Sequence, residues 1–594
     1  MISWKTKDST GIYKIEYDDE PYGAQLAALQ HLINIHDELV FCNAKFDLHW
    51  LRRYGITFKD KKVYDISVAY FILTRQTHKF PSLDEISEYC GAGKKIDKIK
   101  EYWDSGIDTP QIPYNELCEY ALLDAALTEK CYLFLNEKLL ISNNLRKLVS
   151  LAHQDTLVLE EMEWNGMRYD SGASLKEADS VKEVMDGITG KLCEVLDHPH
   201  GKDINWDSPK QVSAVLYGGV VSIPYKETYT FNYKDGRTAE KQRKAIKEII
   251  FPRLVEPADR SETDVAGVWS IAEPIISNIS AKGKGKAIID LLLVHAKLGK
   301  LHGTYLAGIP KIMDKHGWVG MIHGQLNQTV AVTGRLSSSA PNMQNMPGDV
   351  DKYFISRFDD GKVVQFDVKG LEVLCAAYIS QDPVLIKELR DGEDIHSNNQ
   401  AAFKLLDRLA AKRFMFKMIY GGTAQGFAMD ADFLYLKMSA RRWQEVIDAF
   451  YAKYQSIAKW HSVLIAEVLR TAQYTIPSGR ELDFRQPLTK PEWYYVPKIK
   501  NYPVQGFGAD LVKLARISLY KRMMASGCKS LLVNTIHDSI IIDIPEKEWY
   551  NISMMVKKVF EDLPINIKNV WEFDIGLKIS TEASILTTGE ELHD

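Results

Sequence analysis

Residues Ser530–Ile544 read SLLVNTIHDSIIIDI, two apolar runs flanking a polar pair, His537-Asp538. This pattern predicts a β-hairpin with an acid at its tip. Upstream, Lys362–Val368 (KVVQFDV) is a second β-rich run. It brings a carboxylate, Asp367, to its end and is followed by helical spacing at Leu371, Leu374, Cys375 and Tyr378. If the two stretches are neighbours in one sheet, Asp367 and Asp538 converge although 171 positions separate them. Converging carboxylates repel, and need a cation to coexist ionised. Two Mg²⁺ ions about 3.5–4 Å apart meet that need and suit phosphoryl transfer. One lowers the pKa of an attacking hydroxyl; the other stabilises a leaving pyrophosphate. Either aspartate alone reads more readily as the mere end of a strand.

A third stretch changes the balance. In 407–422 (DRLAAKRFMFKMIYGG), Arg408, Lys412, Phe416 and Tyr420 recur every four residues. They form one drifting stripe down a helix. Two cations, two rings and then glycines match a nucleoside triphosphate. Arg408 and Lys412 neutralise phosphates, Phe416 stacks near the base, and Tyr420-Gly421 sits beside a template. The plainer reading is a solvated basic face that merges into a core face.

The bulk numbers are permissive. A chain of 594 residues has room for roughly three to five domains. Hydrophobic residues at 45% and charged residues at 26% are ordinary for a globular protein. The net charge of −5 excludes a uniformly basic nucleic-acid binder, but leaves room for a locally basic cleft. Seven scattered cysteines without a CxxC pair argue against a disulfide framework or a zinc site. No secretory h-region or long apolar run is visible. A soluble, cytoplasmic, monomeric protein without a membrane segment is expected, in the host cytoplasm if it is viral.

Residues 1–145 mix short strand-like runs (Gly11–Tyr17, Leu39–Cys42) with helical patterns such as Tyr114–Asn136, which suggests a small α/β domain. From 146 to 320 helical periodicity dominates, as in Leu148–Trp164 and Ala287–Leu301. Within it, Gly218–Gly236 reads as a hairpin with Asp235-Gly236 as the turn. Lys282, Lys284 and Lys286 alternate with glycine and read as a flexible basic loop, either a solvated linker or a phosphate contact.

TVAVTGRLSSSAPNMQNMP (Thr329–Pro347), FDVKGLEVL with Asp367 and Glu372, the RxxxKxxxFxxxYG helix, NYPVQGFGADLVK (Asn501–Lys513) and IHDS (Ile536–Ser539) follow one another in order. With these motifs the chain resembles family A DNA polymerases, the bacterial polymerase I-like group, and compact phage replicative members in particular. The resemblance implies an α+β right-hand fold: a thumb at 146–320, a palm at 321–383 and 491–594, and fingers at 384–490. Asp367 and Asp538 would hold metal, with the carbonyl of Val368 as a further ligand. His396, Arg408 and Lys412 would bind the triphosphate, and Lys412 or His396 would donate a proton to pyrophosphate. Glu372 would be a steric gate against a ribose 2′-OH, Phe416 would pack on sugar and base, and Tyr420 would sit by the template. Arg335, Asn501, Gln505 and His537 would contact the minor groove and primer terminus, where shared acceptors report pair shape rather than sequence. The implied cofactor is Mg²⁺, with Mn²⁺ as a substitute. The implied partners are primer-template DNA and dNTPs, with a processivity factor, helicase or primase as further candidates, in phage DNA replication. One departure stands out: the family usually has HDE where this chain has Ser539 after Asp538, so a Ser539→Glu change is expected to alter Mg²⁺ dependence modestly.

NAKFDLHWL (43–51) and YALLD (120–124) resemble the second and third motifs of DEDD-type 3′–5′ exonucleases. The resemblance offers Asp47 and Asp124 as metal ligands and Tyr120 as a water-orienting group. The first motif, a strand bearing Asp-x-Glu, is not visible, so an RNase H-like domain without that strand, taken as an edge strand, and with weak or absent nuclease activity is expected; a protein without proofreading and an N-terminally shortened or split form are the two explanations. A single-subunit RNA polymerase is the nearest alternative. Glu372, where a ribose must be admitted, and Phe416, where such enzymes typically carry methionine, oppose it. A DNA-binding protein with a dead palm and a nuclease alone are opposed by the retained Asp367, Asp538, Arg408 and Lys412 and by the missing first motif.

Overall fold

The computed structural model describes residues 2–13, 22–94, 98–234, 236–259, 261–573 and 576–592. It divides into two compact units, Met1–Arg168 with Met321–Asp594, and Tyr169–Gly320. No helix among the described residues is long and apolar enough to cross a membrane.

The centre of the first unit is a five-stranded sheet. Its order is Leu531–Ile536, Ser539–Ile544, Lys362–Val368, Thr581–Ile585 and Glu591–Leu592. All its pairings are antiparallel. Every residue of Ser539–Ile544 is buried, so Ile540, Ile541 and Ile542 follow one another without polar alternation, and the buried Asp543 is held by Ser356 and Arg357. Phe366, Ile540 and Ile542 pack into one core with Leu371 and Leu374 of the helix Leu371–Ser380. Phe507 and Leu511 of the long helix Glu492–Ser526 join the same core.

The helix Asn143–Asn165 runs through this unit and buries four acids, Asp155, Glu160, Glu161 and Glu163. Each has a cationic partner. Arg516 pairs with Asp155, Arg52 with Glu160 and Glu161, and Lys45 with Glu163. The expected thumb included this helix; in the structure it packs in the first unit, and the second unit begins at Tyr169.

The N-terminal region has two separate ladders among the described residues. One is antiparallel, Ile2–Lys5 with Thr10–Tyr13; the other is parallel, Glu38–Phe41 with Lys62–Asp65. The strand expected over Gly11–Tyr17 is described only to Tyr13; its remainder lies outside the described residues.

The second unit bears out one reading and corrects another. Gly219–Asn232 and Thr238–Phe251 form one long antiparallel hairpin, paired from Gly219↔Phe251 to Asn232↔Thr238. The second strand, TAEKQRKAIKEIIF, is rich in helix formers, and cross-strand pairing overrides that propensity. Asp235 of the expected turn lies outside the described residues. The basic stretch at Lys282–Lys286 is not a loop. Lys282 caps the helix Gly283–Lys300, and Lys286 pairs with Asp290 one turn on. Gly285 lies so close to its neighbours that a Cβ there would stand 2.5 Å from Val255 Cγ1.

Candidate active site

Register places the two acids. Asp367 lies opposite Ser539 in the ladder, so Asp538, one residue earlier in a two-residue turn between Ile536 and Ser539, stands at the end of the neighbouring strand. The turn demands a left-handed residue, and His537 adopts φ 52°.

Two bonds fix the tip: the Thr535 hydroxyl donates to the Ser539 carbonyl at 2.7 Å, and the Ser539 hydroxyl donates to the Ile536 carbonyl at 2.9 Å. Ser539 is fully buried, with its hydroxyl engaged inside the tip.

The acids carry the electrostatic signature of a site built for cations. Burial pushes Asp538 up to about 6, with Glu372 and Asp367 adding repulsion and Arg335 opposing it. Burial also raises Asp367, opposed by a 2.8 Å hydrogen bond from Gln365 Nε2. Among the described residues no cluster of three His, Cys, Asp or Glu could hold a metal. The oxygen groups that could hold a metal here are the carboxylates of Asp367 and Asp538 and, on the same strand as Asp367, the Val368 carbonyl. That sparse, all-oxygen set suits Mg²⁺, which keeps waters and binds substrate phosphates rather than filling a protein cage.

Glu372 sits in the first turn of its helix, between two partners. Arg335 Nη2 lies 3.7 Å from its carboxylate, and the Tyr420 hydroxyl hydrogen-bonds to it. Arg335 follows Gly334 (φ 76°), where a Cβ would stand 2.4 Å from Arg480 Cζ. Arg480 is buried and bonded to Asp510 at 2.6 and 3.1 Å, with Ser478 and Lys513 on the same carboxylate. This network seats the Arg335 loop against the long helix, where a Cβ on Gly506 would lie 3.2 Å from the Thr333 carbonyl. Asn501 and Gln505, one turn apart on that helix, are half-buried, and Asn501 Oδ1 is buried without a hydrogen-bond partner.

Tyr420 ends the helix Arg408–Ile419, whose stripe from Arg408 extends about 18 Å along the axis. At its start Arg408 grips Asp394 at 2.8 and 3.0 Å, which holds that carboxyl well below the usual range. Asp394 also caps the helix carrying His396. The His396 ring lies 6.0 Å from Phe416, with Nδ1 buried and unpartnered. Burial, then Arg408 and Lys412, holds its pKa below the ordinary histidine value.

The structure thus brings Arg335, Asp367, Glu372, Tyr420 and Asp538 into one neighbourhood. It groups His396, on the helix Ile395–Phe403, with Arg408, Lys412 and Phe416 of the helix Arg408–Ile419. Sequence reasoning missed Asp394, Arg480, Asp510 and Thr535. Asp510 lay inside a motif already singled out, and Thr535 inside the hairpin stretch Ser530–Ile544.

In the N-terminal region, Asp47 opens the helix Ala44–Arg53, and burial followed by the charge of Asp65 pushes it up to about 7. Asp65, absent from the sequence expectations, is fully buried and accepts from the amides of Asn43, Ala44 and Ser67. Tyr120 and Asp124 lie one turn apart on the helix Tyr114–Leu139, with the Tyr120 ring edge-on to Trp103.

The model of DNA polymerase family A matches residues 238–585, more than half of the chain. The chain belongs to DNA polymerase family A. A 3′–5′ exonuclease model matches residues 1–140 of this family A chain. DNA polymerase I of Synechocystis sp. is 25% identical over 578 residues, covering 90% of this chain and 52% of that protein. DNA polymerase I of Deinococcus radiodurans is 26% identical over 427 residues, covering 67% and 42%. The chain therefore spans about half the length of these curated relatives. The POL domain of Pol1 from M. smegmatis, solved in complex with DNA primer-template and dNTP, has the same fold, with a TM-score of 0.73 at 18% identity over 96% of this chain and 89% of that one.

Proposed function

We propose that the chain is a template-directed DNA polymerase that extends a primer with dNTPs by two-metal phosphoryl transfer. The observation that carries this reading is the register of Asp367 opposite Ser539. It sets Asp367 and Asp538 side by side, beyond the end of a helix whose stripe leads from Arg408 and Lys412 to Tyr420.

When bound at Asp367, Asp538 and the Val368 carbonyl, Mg²⁺ supplies Lewis-acid activation of the primer hydroxyl and charge stabilisation of the triphosphate. The chain's own residues do the positioning. Arg408 and Lys412 receive the phosphates. His396, whose protonation is disfavoured by burial and by Arg408 and Lys412, gains a proton more readily once a polyanion offsets those charges, and can then return it to pyrophosphate. Phe416 packs on the sugar and base. Glu372, held by Arg335 and Tyr420, fills the space a 2′-OH would need. Arg335, Asn501, Gln505 and His537 sense the nascent pair. In this reading 321–383 and 491–594 form the palm, 384–490 the fingers and 146–320 the thumb.

Residues 1–145 retain an exonuclease-like fold with little or no nuclease activity. Supporting this, the carboxylate that perturbs Asp47 is Asp65, which is committed to three backbone amides. The test is primer extension with dNTPs and, separately, with NTPs, using wild-type and Asp538→Ala protein. Normal extension by the variant overturns the assignment, and equal use of NTPs favours an RNA polymerase. Rapid, Asp47-dependent degradation of a 3′-labelled single strand would show an active exonuclease.

A further inference from the structure

We propose that the long hairpin Gly219–Asn232/Thr238–Phe251 is a binding surface for single-stranded DNA. The identity of the ligand rests on the polymerase reading; the surface itself is argued from the hairpin. Among the described residues, the hairpin is anchored at its root, through Val221, Ile249 and Phe251 in the core of the second unit. From Pro224 to Asn232, and across from them Thr238 to Ile246, no described residue is buried. This arm is about 30 Å long at the usual strand rise.

An isolated two-stranded hairpin is marginal in water, yet this one spends its exposed length on rings and cations rather than on a sealed apolar face. One face carries Tyr225, Tyr229 and Phe231, spaced by strand alternation, with Tyr233 beyond. Lys241 lies 3.7 Å from the Phe231 ring and 4.9 Å from that of Tyr233, and Arg243 lies 5.3 Å from Tyr229. Opposite Tyr225 and Phe231 stand Ala245 and Ala239, side chains too short to cover a ring. On the other face Lys226 lies directly opposite Lys244, an arrangement that works against the hairpin.

In a chain of net charge −5, residues 219–251 hold seven Lys and Arg against four Asp and Glu. Exposed or half-exposed rings at strand spacing, interleaved with cations and with one acid, Glu227, that holds Arg243 at 2.7 Å, suit unpaired bases on a phosphate backbone, because every base offers a face to stack on. A purely structural role explains the cation–ring pairs but not the Lys226–Lys244 repulsion.

Lys244→Glu separates the two. It places an acid opposite Lys226 and so strengthens the hairpin, while removing positive charge from the arm. In the full chain, fluorescence anisotropy with a labelled oligothymidylate should show ~3- to 10-fold weaker binding and a shallower salt dependence, with an unchanged or higher melting temperature. Tyr229→Leu with Phe231→Leu, which keeps strand-compatible apolar side chains, should weaken binding by about tenfold or more. Extension of a primer-template with a very short overhang should proceed at the wild-type rate in both, which distinguishes failure of this proposal from failure of the polymerase reading. Wild-type affinity for the oligothymidylate in both proteins overturns the proposal, as does a loss confined to blunt duplex.

Discussion

Arg516 and Asp155, 361 positions apart, meet in a buried two-point ion pair at 2.8 and 2.7 Å. The remaining guanidinium nitrogen reaches the Thr535 hydroxyl at 3.4 Å, and that hydroxyl in turn holds the Ser539 carbonyl. The turn that presents Asp538 is therefore braced from two helices.

Removing one partner leaves the other charge buried and alone. Arg516→Met should cost about 3–5 kcal/mol, read as a fall in urea midpoint. The pair Asp155→Leu with Arg516→Met should recover much of that loss. A single variant that melts like wild type would show the pair to be dispensable.

Asp538→Asn should lower primer extension by roughly 10³-fold, given the several kcal/mol that metal-mediated charge stabilisation contributes. It should also melt slightly higher than wild type in the absence of divalent ions. Burial and the neighbouring Glu372 and Asp367 disfavour the ionised acid, and asparagine removes that repulsion. Calorimetry in chelator, beside an extension assay, checks both; a marked fall in melting temperature would contradict the electrostatic account.

Glu372→Ala should relax sugar discrimination by about 10- to 100-fold, measured as the ratio of dNTP to NTP incorporation. Tyr420→Phe removes the hydroxyl bonded to Glu372 and should move the same ratio in the same direction, but less. An unchanged ratio in Glu372→Ala would remove the gate assignment.

His153 is buried, bonded through Nε2 to the Asp65 carbonyl at 3.0 Å, and held at about 4, chiefly by burial. Its folded pKa lies below the unfolded value near 6.5, so the unfolded chain binds more protons between the two. Stability from this group is full above about pH 6.5 and falls as the pH drops toward 4. Relative to His153→Gln, wild type should lose about 2 kcal/mol between pH 7 and pH 5, measured by urea unfolding at each pH. Parallel pH profiles for the two proteins would exclude the histidine as the cause.

Gly334→Ala tests the seat of Arg335. A Cβ there meets the Arg480 guanidinium at 2.4 Å, on a backbone with φ 76°, and should destabilise by ~2 kcal/mol. Primer extension should fall with it; wild-type stability and rate would show that the loop can shift freely.

The strands and the hairpin that carry Asp367 and Asp538 were legible because uninterrupted β-branched runs have few alternatives at that length. The helix from Arg408 was legible because its stripe repeats locally. What was hidden depends on distant partners. Nothing near Asp155 or Arg516 in sequence signals that they meet, nor that Arg480 lies under Gly334. Thr238–Phe251 is rich in helix formers, and its register with Gly219–Asn232 makes it a strand. Lys282–Lys286 misled the reading: alternating glycines mimic a linker, yet Gly285 is small so that the helix can approach Val255.

The helix Asn143–Asn165 depends on the N-terminal region for its counter-ions: Lys45, Arg52 and Lys59 neutralise Glu160, Glu161 and Glu163. Trimming that region away would strand three anions in the interior. A lineage could let the nuclease chemistry decay and still be unable to discard the domain, which would persist as a cationic plug for the enzyme's own backbone helix.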